Sequence, residues 1–288
     1  MKPAYITPAY LHDFISSALS EDIGDGDHST LAAIPSDKNS AARLLVKEDG
    51  IVAGVELAQE IFRAVDANLK VTVLINDGSA IAPGDIVLTV EGNARSILSA
   101  ERLVLNCMQR MSAIATKTRH FLSLLDGTNT QILDTRKTTP NFRFPEKWAV
   151  AIGGGGNHRI GLYDMIMLKD NHIDMAGGIE NAINRTKDYL RTLNKKLAIE
   201  IETRNLEEVR EVLRIGGVDV IMLDNMDTKT MREAVAMIGG RFKTEASGGI
   251  DEKTIRKVGE TGVDYISVGA LTHSVKSLDL SLKAVKDK

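Results

Sequence analysis

Residues 197–225 read LAIEIETRNLEEVREVLRIGGVDVIMLDN, and this stretch decides the fold. An apolar run at Leu197–Glu202 gives way to a helical segment at Leu206–Ile215, and a second apolar run follows at Val218–Leu223. Strand, helix and strand at this spacing make two parallel strands joined by a right-handed crossover. The rhythm extends in both directions. It predicts strands at Gln131–Thr135, Met165–Leu168, Lys243–Ala246 and Tyr265–Val268, and helices at Gly177–Leu193, Thr228–Ile238 and Glu252–Glu260. The runs carry no polar face, which implies a sheet covered on both sides or closed into a barrel. Ile166–Met167–Leu168–Lys169–Asp170–Asn171 and Ile221–Met222–Leu223–Asp224–Asn225 present similar geometry at two strand-to-helix junctions.

Upstream of residue 113 the style differs. Leu11–Leu19 has helical spacing, whereas Ala41–Lys47, Gly50–Val55, Val71–Asn76 and Asp85–Glu91 read as strands punctuated by Gly78, Pro83–Gly84 and Gly92. Ser99–Leu125 is a long helical stretch able to bridge two domains. The expected organisation is an N-terminal domain over 1–112, a barrel over 113–275, and a closing helix over 276–288 that packs back on the N-terminal domain.

Composition narrows the function. The chain has 288 residues, 43% hydrophobic, 4% aromatic, with a formal net charge of −3. Few aromatics and a pI near 6.1 argue against a general nucleic-acid surface. No apolar run approaches the roughly 20 residues of a membrane span, and Met1–Tyr10 lacks a secretory apolar core. Cys107 is the single cysteine, expected to be buried and inert in its helix. These features fit a cytoplasmic protein.

Against this acidic background three segments concentrate positive charge: Asp134–Thr135–Arg136–Lys137–Thr138–Thr139–Pro140, Gly153–Gly154–Gly155–Gly156–Asn157–His158–Arg159 and Lys169–Asp170–Asn171–His172. Arg offers a planar fork for carboxylate or phosphate, and Lys a compact charge. Arg136, Lys137, Lys169, Glu202, Asp224, Ser247 and Gly269 each stand at or just past a strand's C-terminal end, the catalytic face of a barrel. Ser247–Gly248–Gly249 and Gly269–Ala270–Leu271–Thr272 follow the last two strands, where barrels often hold a phosphate through backbone N–H groups. Glu202 and Asp224 suit an acid/base pair, a Mg²⁺ site or hydrogen bonds to sugar hydroxyls. Glu200 is expected on the opposite strand face from Glu202. His28, His158 and His172 lack zinc-site spacing.

Taken with Glu21–Asp22–Ile23–Gly24–Asp25–Gly26–Asp27, Ala100–Glu101–Arg102, Leu105–Asn106, Leu223–Asp224–Asn225 and His273–Ser274, these segments resemble quinolinate phosphoribosyltransferase along nearly the whole chain. Three departures stand together. Asn141 replaces a Gly, Phe144–Pro145 precedes Glu146–Lys147 where a Leu is usual, and Trp148 replaces a Tyr.

The resemblance implies an incomplete α/β barrel, type II phosphoribosyltransferase-like, with an N-terminal α/β sandwich domain, working as a dimer or an assembly of dimers. It implies that quinolinate and 5-phosphoribosyl 1-diphosphate become nicotinate mononucleotide, CO₂ and diphosphate with Mg²⁺, in NAD synthesis. By the same resemblance Thr135, Arg136, Lys137, His158, Arg159 and Lys169 bind quinolinate together with Arg102 of the partner subunit. Lys137 stands between quinolinate and diphosphate. Lys137, Glu202 and Asp224 form the catalytic set. Lys169 also serves the phosphoribosyl diphosphate, and Glu202 and Asp224 face the ribose and the metal. Ser247, Gly248, Gly249, Gly269, Ala270 and Leu271 cradle the 5-phosphate.

Three alternatives remain at this point. One is the same fold acting on nicotinate or a pterin-like acid. Another is a Schiff-base lyase using Lys137 or Lys169. The third is a non-catalytic anion-binding protein.

Overall fold

The computed structural model describes residues 2–285. The chain forms two compact units, one of residues 1–119, 138–154 and 271–288, the other of residues 120–137 and 155–270.

The first unit begins with the helix Pro8–Ile23 and then lays down β1 (Asn39–Val46), β2 (Gly50–Ile51), β3 (Lys70–Val73), β4 (Ala80–Ile81) and β5 (Ile86–Asn93). Ala42, Leu44 and Val46 alternate into the core along β1, and Leu44 pairs across with Leu88 of β5. The helix Val55–Val65 buries Leu57, Ala58, Ile61 and Phe62. Its start was expected to end a strand, and Gly54 gives it no side-chain cap. The cap comes from a distance, because Asp77 accepts from the N–H groups of Val55 and Glu56 at 2.9 and 3.2 Å.

The helix Ala94–Ser123 runs for 30 residues without a break, and the division between the two compact units falls inside it, between residues 119 and 120. Its Cys107 is buried, and burial pushes the thiol up to about 12, which leaves it inert.

The second unit holds β6 (Gln131–Leu133), β7 (Ile166–Leu168), β8 (Ile199–Thr203), β9 (Val220–Asp224), β10 (Lys243–Ser247) and β11 (Tyr265–Ser267). All six are parallel, in the order β6-β11-β10-β9-β8-β7. Successive strands from β7 to β11 are neighbours, as in a barrel, and β6 and β7 remain as the two edges. The helices Ile179–Thr192, Leu206–Ile215 and Thr228–Ile238 bury Ile183, Val209, Val212, Ala234 and Ile238, while the strands bury Ile201, Ile221, Leu223, Ala246 and Ile266.

The other strand face is not apolar, contrary to the expectation. It carries Glu200, Glu202, Asp224, Glu245, Ser247 and Ser267, a set related by strand register. Glu200 and Glu202 share this face, because residues two apart on a strand point the same way. The expected opposition of the two was therefore wrong.

Segment 138–154 groups with the first unit and contains the helix Arg143–Gly153, which buries Trp148 and Val150. One further expectation changes, that of a closing C-terminal helix. The C-terminal segment forms no helix over its described residues. It forms β12 (Leu280–Ala284), antiparallel to β1, with Leu282 opposite Leu44. Leu278, Leu280 and Leu282 alternate with Asp279, Ser281 and Lys283, which is strand periodicity. The return to the N-terminal part of the chain was expected correctly. Residues 286–288 of that expectation lie outside the described residues.

The Thr139–Phe142 segment explains one of the sequence departures. Phe142 N–H donates to Thr139 O at 3.1 Å, and Asn141 has φ of 62°. Pro140 then occupies the second position of a type II turn and Asn141 the third, where positive φ selects Gly or Asn. Asn141 keeps the conformation that the expected Gly would adopt.

Candidate active site

The site is built on the loop that leaves β6. Asp134 is fully buried there. Its Oδ2 accepts from Asn157 Nδ2 at 2.7 Å and its Oδ1 from His158 N–H at 2.9 Å. Leu133 bridges to Gly156, and the Gly156 N–H donates to Ile132 O at 2.8 Å. A Cβ on Gly156 would stand 2.7 Å from the Leu133 side-chain tip, so glycine lets the two segments approach without displacing that side chain. The glycine run thus ends a helix and docks on a strand edge. The same loops carry Arg136 and Arg159. Burial first, and then the neighbouring Arg136 charge, hold the Arg159 guanidinium below its ordinary range. Two cations forced together at a half-buried position are suited to a ligand with two negative charges.

Beneath Arg159 lies a deeper polar layer. His158 Nε2 is 2.8 Å from Glu200 and 3.5 Å from Glu245, both carboxyl groups being buried. The Arg159 N–H donates to His158 Nδ1 at 2.8 Å. The proton of the neutral ring therefore sits on Nε2 and points at Glu200. The trio has the spacing of a metal site. The donor chemistry does not match one, because a ligating imidazole donates through its other nitrogen, whereas here that nitrogen accepts.

Burial, and then the charge of Glu200, push the Glu245 carboxyl up to about 8, so it holds a proton at neutral pH. Between the ordinary carboxyl range and pH 8 the folded chain keeps a proton that the unfolded chain has released. Stability therefore falls as pH rises through this window, by up to about 1.4 kcal/mol per pH unit for one group. Glu245→Gln removes this penalty. Its stability relative to the parent should be lowest near pH 5 and should improve by a few kcal/mol toward pH 8.5 in urea titrations. A difference independent of pH would show that Glu245 ionises normally.

The second cluster sits at the mouth. Lys169 Nζ is 3.6 Å from Glu202 Oε2. Burial first, and then Asp224, raise the Glu202 carboxyl above its ordinary value. Asn225 Nδ2 donates to Asp224 Oδ2 at 2.6 Å, and Asn225 N–H donates to Ser247 O at 2.9 Å. These bonds tie the ends of β9 and β10 together. Gly248, with φ of 101°, lies against the Asn225 side chain so closely that a Cβ would collide with it. Gly249 remains open.

Thr135, Arg136, Lys137, His158, Arg159, Lys169, Glu202, Asp224, Ser247, Gly248, Gly249, Gly269 and Ala270 all belong to the second unit, and most stand at or just past strand ends. Thr135 accepts from the Lys137 N–H at 3.0 Å. Arg102 and Leu271 belong to the first unit. Arg102 is exposed on the helix Ala94–Ser123, and Leu271 is buried.

Sequence reasoning missed Asp134, Glu200 and Glu245 as working residues. Two signals were available: Glu200 and Glu202 two apart on one strand, and Glu245 two before Ser247.

A Quinolinate phosphoribosyl transferase, C-terminal domain model matches residues 114–283, and a Quinolinate phosphoribosyl transferase, N-terminal domain model matches residues 27–112. Quinolinate phosphoribosyltransferase [decarboxylating] 2, mitochondrial, of Nicotiana glauca is 50% identical over 292 residues, covering 96% of this chain and 83% of that protein. Nicotinate-nucleotide pyrophosphorylase [carboxylating], chloroplastic, of Oryza sativa subsp. japonica is 50% identical over 293 residues, covering 96% and 78%. The crystal structure of NadC from Streptococcus pyogenes has a TM-score of 0.91 at 39% identity and covers 98% of this chain and 99% of its own.

Proposed function

The chain belongs to the quinolinate phosphoribosyltransferase family and converts quinolinate and 5-phosphoribosyl 1-diphosphate to nicotinate mononucleotide, CO₂ and diphosphate in NAD biosynthesis; we propose that the polar strand ends of its parallel sheet carry this reaction. The observation that supports the placement is the juxtaposition of two opposite charge sets on one sheet. Arg136 and Arg159 crowd each other on one side, and Glu202 and Asp224 crowd each other on the other.

In this proposal Arg136 and Arg159 hold the two quinolinate carboxylates, with Thr135 and Lys169 beside them. His158 acts from below by fixing the Arg159 backbone, because both of its ring nitrogens already face protein groups. Lys137 lies between quinolinate and the leaving diphosphate. Ser247, Gly248, Gly249, Gly269, Ala270 and Leu271 hold the 5-phosphate, chiefly through backbone N–H groups.

The pyridine nitrogen attacks C1 of the ribose as the C1–O bond to diphosphate breaks, through an oxocarbenium-like state. Glu202 and Asp224 stabilise that positive charge and accept from the ribose hydroxyls. The C2–carboxylate bond of the pyridinium then breaks. CO₂ leaves, the electron pair stays on C2 beside the positive nitrogen, and a proton replaces it.

Glu202 and Asp224 are hard oxygen donors, and burial together with the Asp224 charge raises the Glu202 carboxyl, which suits Mg²⁺. Mg²⁺ bound there would supply positive charge to the diphosphate oxygens.

We further infer a two-fold dimer with Arg102 of the partner subunit serving each site. Among the described residues the Arg102 guanidinium has no hydrogen-bond or ion-pair partner in its own chain, while Leu103, Val104 and Leu105 turn inward. No helix among the described residues is long and apolar enough to cross a membrane. The acidic composition and the single inert cysteine support a cytoplasmic setting, although plant relatives are named mitochondrial and chloroplastic.

A Schiff-base lyase is the alternative that direct chemistry can exclude. Borohydride added with quinolinate should leave the protein mass unchanged. A reduced adduct on Lys137 or Lys169 would replace the phosphoribosyl-transfer mechanism with an imine.

A further inference from the structure

An ion pair in the first unit, its carboxylate fully buried and its guanidinium half-buried, has no part in the chemistry above, yet it holds the chain just downstream of the working residues after β6 and β11. Arg110, on the helix Ala94–Ser123, gives Nε and Nη2 to Glu146 Oε1 at 3.0 and 2.8 Å. Glu146 is fully buried on the helix Arg143–Gly153. Its carboxylate also accepts from the Thr139 N–H at 3.1 Å through Oε2 and from the Thr139 hydroxyl at 2.9 Å through Oε1. The other edge of the guanidinium holds the chain near its C-terminal end, with Nη2 to Thr272 O at 2.5 Å and Nη1 to Val275 O at 3.4 Å.

Thr139 follows Lys137 by two residues, and Thr272 follows Gly269 by three. The strands that feed these two loops, β6 and β11, are neighbours in the sheet. Each loop therefore starts from an adjacent strand and ends on the same guanidinium–carboxylate pair. A planar fork bonded on two edges fixes direction as well as distance, which a Lys ammonium does not. A site that must align two substrates loses rate when its loops drift by an ångström.

We propose that Arg110 and Glu146 are positioning residues that hold the loop of Arg136–Lys137 and the loop of Gly269–Leu271 in working register, so that both substrates depend on the pair. The inference rests on the phosphoribosyltransferase reading of the site. Neither residue touches substrate. The pair acts through Thr139 and through the backbone at Thr272 and Val275.

The test uses Arg110→Lys and Glu146→Gln in the full chain. Steady-state kinetics give KM for each substrate, and calorimetry gives quinolinate binding without turnover. Both KM values should rise, on the order of tenfold, the scale of one weakened charge-assisted contact. Quinolinate binding should weaken in parallel, while kcat falls less. Glu146→Gln preserves shape, so it reports even where Arg110→Lys fails to fold. A lower melting temperature with both KM values unchanged would make the pair merely structural and overturn the proposal. A rise confined to one substrate would overturn it as well. The parent protein's turnover of quinolinate is measured in the same series, so failure of the reaction assignment would be seen separately.

Discussion

Asp134→Ala is expected to reduce kcat/KM for quinolinate by on the order of a hundredfold and to destabilise the chain by about 3 kcal/mol. Asp134 is fully buried and accepts from Asn157 Nδ2 and from the His158 N–H. Removing the carboxylate strands two donors, each costing about 1–3 kcal/mol where water cannot reach. The same bonds set the loop that ends in Arg159, so the defect reaches the quinolinate carboxylates without any contact to substrate. KM for quinolinate should rise much more than KM for 5-phosphoribosyl 1-diphosphate, because the Asp134 carboxylate bonds directly to the Asn157–His158 segment that leads into Arg159. Equal changes in both constants would show a general loss of folded protein. Asp134→Asn separates charge from shape: it keeps one acceptor and should recover part of the activity.

The second large effect concerns Arg102. Arg102→Ala should weaken quinolinate binding by about 1.5–3 kcal/mol, the loss of one charge-assisted contact, and leave 5-phosphoribosyl 1-diphosphate binding nearly intact. Arg102→Ala and Lys137→Ala proteins should each be almost inactive. Mixed under conditions that exchange subunits, they should regain activity. A mixed dimer places both defects in one site and neither in the other, so up to half of its sites work. If mass spectrometry shows mixed dimers and activity stays absent, Arg102 acts within its own chain or not at all.

Much of the second unit was legible because its signals are local. The helices Leu206–Ile215 and Thr228–Ile238 agree with the sequence reading to the residue, each announced by an acidic or amide cap, Asn205 and Asp227. Elements that depend on distant partners were not legible. The helix Val55–Val65 is capped by Asp77, and β12 exists because β1 offers it an edge.

The strand ends that form the proposed mouth of the site were legible in the sequence, since Arg136, Lys169, Glu202 and Asp224 stand at or just past the ends of apolar runs. The layer beneath was not. Glu200 and Glu245 become meaningful only when register brings both beside His158, and a wrong assignment of strand face hid the first of them. Arg110 lies in the middle of a helix, where nothing in the sequence separates a surface charge from a half-buried one that bonds a buried carboxylate.

The most direct measurement uses quinolinate labelled in the carboxylate next to the ring nitrogen, incubated with the protein, 5-phosphoribosyl 1-diphosphate and Mg²⁺. Labelled CO₂, nicotinate mononucleotide and diphosphate should appear in equal amounts, and chelation of Mg²⁺ should stop all three. Nicotinate mononucleotide formed from nicotinate, with none from quinolinate and no labelled CO₂, would contradict the account.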